Sequence, residues 1–200
     1  LQDIAMGTDY KLPWLERRAT LRTHAPYSTG TVDITAGGTT VTGTTTAWAT
    51  ANSYGENNAR TTGKLVFSGG SDIYRIQTVG SDTSITLVDR YVASADADDA
   101  TYVYFEDEYA LASDFLRPID QQLFSQAYNI PLLDRHDWRR RFPRPNVSGR
   151  PTVACILDLA HESSTTPVRR VQFYPYPDAA YLIPYTYISS AVAVTSAGVE

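Results

Sequence analysis

The residues Thr31-Val32-Asp33-Ile34-Thr35-Ala36-Gly37-Gly38-Thr39-Thr40-Val41-Thr42 indicate the fold class of the chain. Apolar and polar side chains alternate on both sides of Ala36-Gly37-Gly38, which is the pattern of two strands joined by a tight turn. Ten of the 26 residues from 25 to 50 are threonine, and β-branched side chains favour strands over helices. The segment therefore predicts a β-hairpin.

The same pattern continues as far as residue 106. Gly69-Gly70 and Gly80-Ser81-Asp82 mark further turns between short apolar runs. The predicted strands are residues 31–35, 39–42, 64–67, 73–79, 84–88 and 100–105. Short strands that alternate with turns in this way fit a small closed barrel or a sandwich. We therefore expect residues 27–106 to form a β-barrel-like module.

The segments on either side of this module have helical features. Residues 1–26 predict a short N-terminal helix and a linker, interrupted by Pro13. Residues 107–150 predict short helices and a basic loop, with Asp114 as an N-cap ahead of Phe115. Further helical turns are predicted at 120–127 and 134–142.

Three apolar runs between residues 151 and 188 predict an antiparallel meander, whose last two strands are joined by a turn at Pro177-Asp178. Pro184 is expected to place the last strand at a sheet edge or at a bulge. Residues 189–200 predict an extended C-terminal arm. The fold class is therefore mainly β with short helices (α+β), with the barrel inserted in a scaffold built from both ends of the chain.

The composition excludes several classes of protein. With 200 residues, 42% of them hydrophobic and 20% charged, the chain predicts a globular protein of one domain or two small ones. No apolar run approaches the length of a membrane span, and the formal net charge of −5 argues against a general nucleic-acid binder. The lone Cys155 lies in an apolar run and indicates a buried side chain in a reducing compartment. The chain shows no signal peptide, and we expect the natural N-terminus to lie upstream.

Charge is distributed unevenly along the sequence. Residues 89–114 carry eight acidic side chains against Arg90, and residues 135–150 carry six arginines against Asp137. Blocks of opposite sign on one chain suit head-to-tail contact between identical subunits or docking on a charged partner. The alternative is a pair of solvated loops.

The motifs of catalysis and ligand binding are missing. The three histidines, His24, His136 and His161, are unclustered, and no Gly-x-Ser-x-Gly motif occurs. The acidic residues 96–99 lack the glycine and glutamate of a calcium-binding loop, and residues 58–65 lack the first glycine and the Ser or Thr of a phosphate loop. We therefore expect no enzymatic activity, no cofactor and no metal.

Aromatic residues are abundant instead. The chain has 14 tyrosines and three tryptophans, residue types that suit a core or a subunit interface. Tyr181, Tyr185 and Tyr187 share one face of a strand by parity, and we expect this group to lie in the core. Trp14 stands close to Arg17 and Arg18, and tryptophan and arginine are enriched in interface hot spots. Alternatively, Trp14 covers the barrel.

The order of several segments resembles the head-to-tail adaptor (connector, or neck) proteins of tailed bacteriophages. The resemblance extends from about residue 10 to residue 188 and is carried by residues 13–21 (PWLERRATL), 27–32 (YSTGTV), 39–43 (TTVTG), 107–117 (DEYALASDFLR), 149–152 (GRPT), 174–178 (YPYPD) and 181–187.

This resemblance implies a non-enzymatic structural protein in the neck of the virion, assembled in the bacterial cytoplasm. Its subunits would form a ring, as a dodecamer, beneath the portal protein, extend the DNA channel and provide a platform for tail or nozzle proteins. Genomic DNA would pass without sequence-specific binding, and no membrane would be involved. The expected protein-interface residues are Trp14, Arg17, Arg18, Asp107, Glu108, Arg139, Arg140 and Arg141.

The aromatic residues indicate an alternative function. A carbohydrate- or receptor-binding module of a tail spike or fibre would use Trp48, Tyr54 and the aromatic C-terminal strand as platforms for sugar rings.

Overall fold

The computed structural model describes residues 13–119, 129–143, 146–157 and 168–190. Within these ranges the chain is mainly β, with a short 3₁₀ turn at Pro13–Leu15 and an α-helix, α1 (Arg135–Arg141). The strands are β1 (Glu16–Arg22), β2 (Thr31–Ile34), β3 (Thr40–Thr44), β4 (Lys64–Phe67), β5 (Tyr74–Ser81), β6 (Ser84–Leu87), β7 (Ala97–Ala100), β8 (Tyr102–Phe105), β9 (Glu108–Ala110), β10 (Phe115–Pro118), β11 (Val153–Leu157), β12 (Arg170–Tyr174) and β13 (Leu182–Ser189).

A seven-stranded antiparallel sheet forms the first half of the molecule, in the order β7-β2-β3-β6-β5-β4-β8. The sheet curls, because Tyr27, just ahead of β2, forms a bridge with Tyr104 of the opposite edge strand through backbone hydrogen bonds of 2.8 and 2.9 Å. The inward-facing side chains pack into one core around Trp48, Leu65 and Ile85. The alternation of the sequence predicted six of these strands, whereas β7 was missed, since the run predicted at 100–105 corresponds to β8 and overlaps β7 only at Ala100.

The flanking scaffold is built from strands rather than from the predicted helices. Residues Glu16–Arg22 form β1, in which Ala19 and Leu21 face the core and the intervening side chains face solvent. Asp114 does not cap a helix, because its carboxylate accepts the hydroxyl of Tyr187 at 2.7 Å and Phe115 begins β10. The predicted helix at 120–127 and residues 1–12 lie outside the described residues. The helix predicted at 134–142 is confirmed as α1.

The three C-terminal strands exist, but they do not form a meander. Strands β11 and β12 pair with each other, with β9 on the other side of β12, whereas β13 lies between β1 and β10 in a separate sheet. The chain leaves β12 and is held to β1 by Thr23, whose hydroxyl donates to the carbonyl of Ala179 and accepts the amide of Tyr181. This anchoring directs β13 alongside β1 instead of back along β12.

Pro184 is tolerated in β13 although this strand is central. Strand β10 pairs only with residues 187–189 of β13, so the side of the strand that faces β10 is open at Pro184. The missing N–H therefore costs no hydrogen bond within the sheet. The apolar faces of the two smaller sheets form a second core around Val171, Phe173 and Ile183.

Candidate interaction surfaces

The acidic block of residues 89–114 is divided by the fold into a buried part and an exposed part. Glu106, which follows β8, is 3% exposed and accepts hydrogen bonds from Tyr104 at 2.6 Å, Arg60 at 2.7 Å and Thr62 at 2.9 Å. Burial alone would raise the pKa of Glu106, but the hydrogen bond and charge of Arg60 outweigh it and hold the pKa below its usual value. Oε1 of this carboxylate is therefore engaged in three hydrogen bonds inside the chain.

Asp107 is completely buried at the junction between the large sheet and the scaffold. Its carboxylate lies 2.7 Å from Nζ of Lys64, on β4, and accepts Nε2 of Gln172, on β12, at 2.8 Å. Glu108 approaches the same ammonium group at 2.9 Å. Burial alone would lower the pKa of Lys64, but the charges of Asp107 and Glu108 outweigh it and raise the pKa. The ion pairs thus connect β4 to β9 and β12.

These contacts change how the predicted interface residues are interpreted. Asp107 and Glu108 were expected to face a neighbouring subunit, yet Asp107 has no exposed surface and both residues bind Lys64 of their own chain. The junction residues Lys64, Glu106 and Gln172 were not identified from the sequence. The sequence did contain one signal, three consecutive carboxylates directly after an apolar strand. If the chain continues through the interior at that point, these charges must be paired with cations.

A further polar group borders a cleft of about 360 Å³ between the large sheet and the connection from β12 to β13. His24 lies in this cleft, with Nδ1 3.2 Å from Glu56 and Nε2 3.9 Å from Glu106. Tyr54, 54% exposed, stacks on the guanidinium of Arg22 with 4.6 Å between the charge centre and the ring centroid. Arg60 is already bound to both carboxylates. The charged groups of the cleft therefore neutralise one another.

A cluster of exposed carboxylates from the acidic block lies on β7 and directly before it. Asp98 is exposed, and Asp96 and Asp99 accept hydrogen bonds from the amide of Ala36 at 2.8 Å and the hydroxyl of Thr31 at 3.3 Å. In the described part of the chain, none of these three carboxylates forms a salt bridge. β7 therefore presents a cluster of negative charge at an edge of the large sheet.

A cluster of exposed positive charge lies on α1. Asp134 caps the helix by accepting the amide of His136 at 2.7 Å, and Trp138 anchors it with 4% of its surface exposed. Arg139, Arg140 and Arg141 occupy the last turn and are all exposed. None of the three forms a salt bridge with a described residue. The helix therefore presents three guanidinium groups that have no salt-bridge partner in the described part of the chain.

The remaining predicted interface residues surround the start of β1. Trp14 is 63% exposed, so the described residues do not bury it against the barrel. Arg17 donates to the carbonyls of Trp14 at 2.7 Å and Glu16 at 3.1 Å, and Arg18 is exposed. Trp14, Arg17 and Arg18 are thus all exposed at the start of β1.

The aromatic residues proposed as sugar platforms are separated by the fold. Trp48 is completely buried, and its indole N–H donates to the hydroxyl of Tyr102 at 2.9 Å. Tyr185 and Tyr187 belong to the core, which confirms that expectation, whereas Tyr181 is only partly buried at its margin. Among the predicted platforms, Tyr54 alone is exposed.

The described residues contain no group of three His, Cys, Asp or Glu side chains suited to hold a metal ion. No helix in the same ranges has the length and apolar character needed to cross a bilayer. The chain has no significant match among protein-family models, curated proteins or solved structures. Interpretation of its function therefore depends on its surfaces.

Proposed function

We propose that the protein is a structural component of a bacteriophage virion, a head-to-tail adaptor whose subunits form a ring beneath the portal. The observation that carries the proposal is the exposed charge of β7 and α1. Asp98 and Asp99 lie on β7, Asp96 directly precedes this strand, and Arg139–Arg141 lie on α1. None of these charged groups forms a salt bridge within the described chain. One copy therefore offers both halves of an electrostatic contact.

Contacts between two different surfaces of identical subunits are heterologous. Repetition of such a contact gives a closed ring when the rotation closes. Complementary charges at the contact raise the rate of encounter and fix the register more than they increase affinity. These exposed surfaces support the proposed ring, and the dodecameric count comes from the family resemblance.

The overall charge suits a channel for DNA. With 17 basic and 22 acidic side chains, the chain has a formal net charge of −5. A wall with few free cations does not hold the phosphate backbone, because counterion release requires contacts with Lys and Arg. DNA would therefore pass through the ring without being bound.

The surface around Trp14, Arg17 and Arg18 is proposed to contact the portal protein or tail proteins. The C-terminal arm, of which residues 191–200 lie outside the described residues, is proposed to contribute to the same neighbours. Tryptophan and arginine supply much of the binding energy in protein interfaces, and Trp14 is available for this because it is 63% exposed. The location implied is the neck of the particle.

Electron microscopy tests this proposal. The purified protein, alone and mixed with portal rings, should form annular particles with cyclic symmetry and a central channel. A protein that remains monomeric under both conditions, shown by light scattering, would contradict the adaptor function.

The second candidate, a carbohydrate-binding module, retains one supporting feature: the exposed Tyr54 beside the cleft of about 360 Å³. A glycan array distinguishes this candidate from the adaptor. Specific glycan binding that is lost in Tyr54→Ala, together with trimeric rather than ring-shaped particles, would favour it.

A further inference from the structure

Strand β1 is an edge strand with a long, regular outer edge. It pairs with β13 at all seven positions, from Glu16 opposite Ile188 to Arg22 opposite Leu182, without a bulge. On its other side it has no strand partner among the described residues. A strand edge of this length with unpaired N–H and C=O groups is a template for pairing with another strand.

The other sheet edges are short or protected. β8 is bridged by Tyr27, and β11 is bridged by Leu132. β9 has three residues, and β10 has four and ends in Pro118. β7 has four residues, and Asp99 interrupts it with a left-handed φ of 47°. Within the described chain, β1 is thus the one long edge that carries none of these protections.

The backbone groups that face outward can be identified from two hydrogen bonds. The amide of Thr23 donates to the carbonyl of Tyr181, so odd-numbered residues of β13 face β1. The amide of Ser190 donates to the carbonyl of Asp114, so even-numbered residues of this segment face β10. By the recorded register, odd-numbered residues of β1 bond to β13, and the N–H and C=O groups of Arg18 and Thr20 point outward.

We propose that this outer edge pairs in antiparallel fashion with the same edge of a second copy, about a two-fold axis at Ala19. Outward-facing residues must meet outward-facing residues, so only registers that place even-numbered residues opposite one another are allowed. With the axis at Ala19, Glu16 lies opposite Arg22 of the other copy and Arg18 opposite Thr20.

Charge selects this register over its neighbours. An axis at Arg18 places Arg18 opposite itself, and an axis at Thr20 places Arg18 opposite Arg22. Like charges directly opposite one another destabilise a strand pair, whereas opposite charges stabilise it. The axis at Ala19 avoids both arginine pairs and places Glu16 opposite Arg22, whose guanidinium also binds Glu56 of its own chain. The second copy therefore meets this edge without like charges opposite one another.

The resulting dimer joins two three-stranded sheets into one continuous six-stranded sheet. Trp14, 63% exposed, lies in the 3₁₀ turn directly before β1, beyond the end of the paired edge. This pairing goes beyond the ring contact of the proposed function and does not depend on it. It uses the same surface in both copies and therefore closes after two subunits.

Disulfide trapping tests the register. In the proposed dimer the two Ala19 residues form a non-hydrogen-bonded pair with Cα atoms about 4.5 Å apart, within the range of a disulfide. Ala19→Cys should therefore give a covalent dimer on mild oxidation, resolved on a non-reducing gel. Thr20→Cys is the matched control, because Thr20 faces Arg18 rather than itself. The wild type should not crosslink, because its Cys155 is 1% exposed.

A proline substitution tests the backbone pairing. Thr20→Pro removes an N–H that faces outward, so the sheet within the subunit loses no hydrogen bond. It should weaken self-association in sedimentation about tenfold or more, while Thr20→Val retains it. Circular dichroism confirms that both variants remain folded.

Two results would overturn the pairing: an Ala19→Cys protein that does not crosslink, or a Thr20→Pro protein that dimerises like the wild type. If Thr20→Pro instead weakens only the binding of portal protein, the edge accepts a strand of that partner and self-pairing is wrong. Reversal of Arg139–Arg141 should leave the Ala19→Cys crosslink unchanged, so failure of the ring and failure of this dimer are separate results.

Discussion

At the scale of single residues, the buried ion pair between Lys64 and Asp107 connects the two halves of the molecule. Both charges are removed from water, and each depends on the other for compensation. Breaking such a pair by removing one charge is far more costly than replacing both partners with apolar residues. The pair therefore gives a direct measure of how strongly the junction is held.

We expect Asp107→Asn to lower the free energy of unfolding by about 3 kcal/mol, because it leaves the ammonium of Lys64 with Glu108 as its remaining partner. Asp98→Asn, at an exposed position, should change stability by no more than about 0.5 kcal/mol. Urea unfolding followed by tryptophan fluorescence measures both. The double variant Lys64→Met/Asp107→Leu should recover much of the lost stability. Equal destabilisation by Asp107→Asn and Asp98→Asn would contradict a special role of the buried pair.

His24 makes stability depend on pH. Burial lowers the pKa of His24 below its ordinary value of 6.5, Glu106 and Glu56 act against this, and Arg60 and Arg22 reinforce it. As the pH falls through this ordinary value, the unfolded chain takes up a proton that the folded chain does not. Stability should therefore decrease as the pH is lowered.

In His24→Gln this decrease should be reduced between about pH 8 and pH 5, where the histidine of the unfolded chain titrates. His136→Gln, at an exposed position on α1, is the matched control and should retain the wild-type decrease. Thermal melts across this pH range provide the measurement. If the stability of His24→Gln has the wild-type pH dependence, other titratable groups cause the decrease at low pH.

At the scale of elements, most strands could be predicted and most connections between them could not. Alternation in 31–42 and glycines at the turns predicted the strands of the large sheet, because both signals are local. Residues 16–22 contain two adjacent arginines and an inward Ala19, so their strand character depends on pairing with β13. Pairing partners distant in sequence leave no local pattern, which is why β13 was assigned to the wrong sheet.

The candidate surfaces show the same limit. Exposure of Arg139–Arg141 was predictable from a short basic helix with a single buried anchor, Trp138. The burial of Asp107 was not predictable, because its partners Lys64 and Gln172 come from strands far away in the sequence. A charge block identifies candidates, and only the fold determines which of its members remain on the surface.

The start of β1 provides a prediction at this scale. Because Trp14 is 63% exposed, Trp14→Ala should leave the melting temperature nearly unchanged and weaken binding to portal rings in co-sedimentation. Trp138→Ala is the contrasting variant: this side chain is 4% exposed, and its loss should cost about 3 to 5 kcal/mol. A Trp14→Ala protein that melts as early as Trp138→Ala would show a packing role instead.

At the scale of the whole molecule, one exposed charge cluster lies at an edge of the large sheet and the other lies on α1. Buried ion pairs join the two halves of the molecule. In the proposed ring, neighbouring subunits can keep a fixed angle to one another only if the two halves of each subunit do not move relative to each other. The Lys64–Asp107 junction supplies that constraint, since it connects β4 of the large sheet to β9 and β12 of the scaffold. Ring assembly and junction stability should therefore be coupled.

Charge reversal tests the contact between subunits. Arg139→Glu/Arg140→Glu/Arg141→Glu should abolish annular particles and leave the melting temperature within a few degrees of wild type, because exposed charges contribute little to stability. Asp98→Lys, combined with Asp96→Asn and Asp99→Asn to retain their acceptor oxygens, should abolish the particles in the same way. Joining both sets in one chain restores opposite signs at the contact, so rings should reappear in electron micrographs. Rings that persist in either single set, or fail to return in the combined chain, would place the subunit contact elsewhere on the molecule.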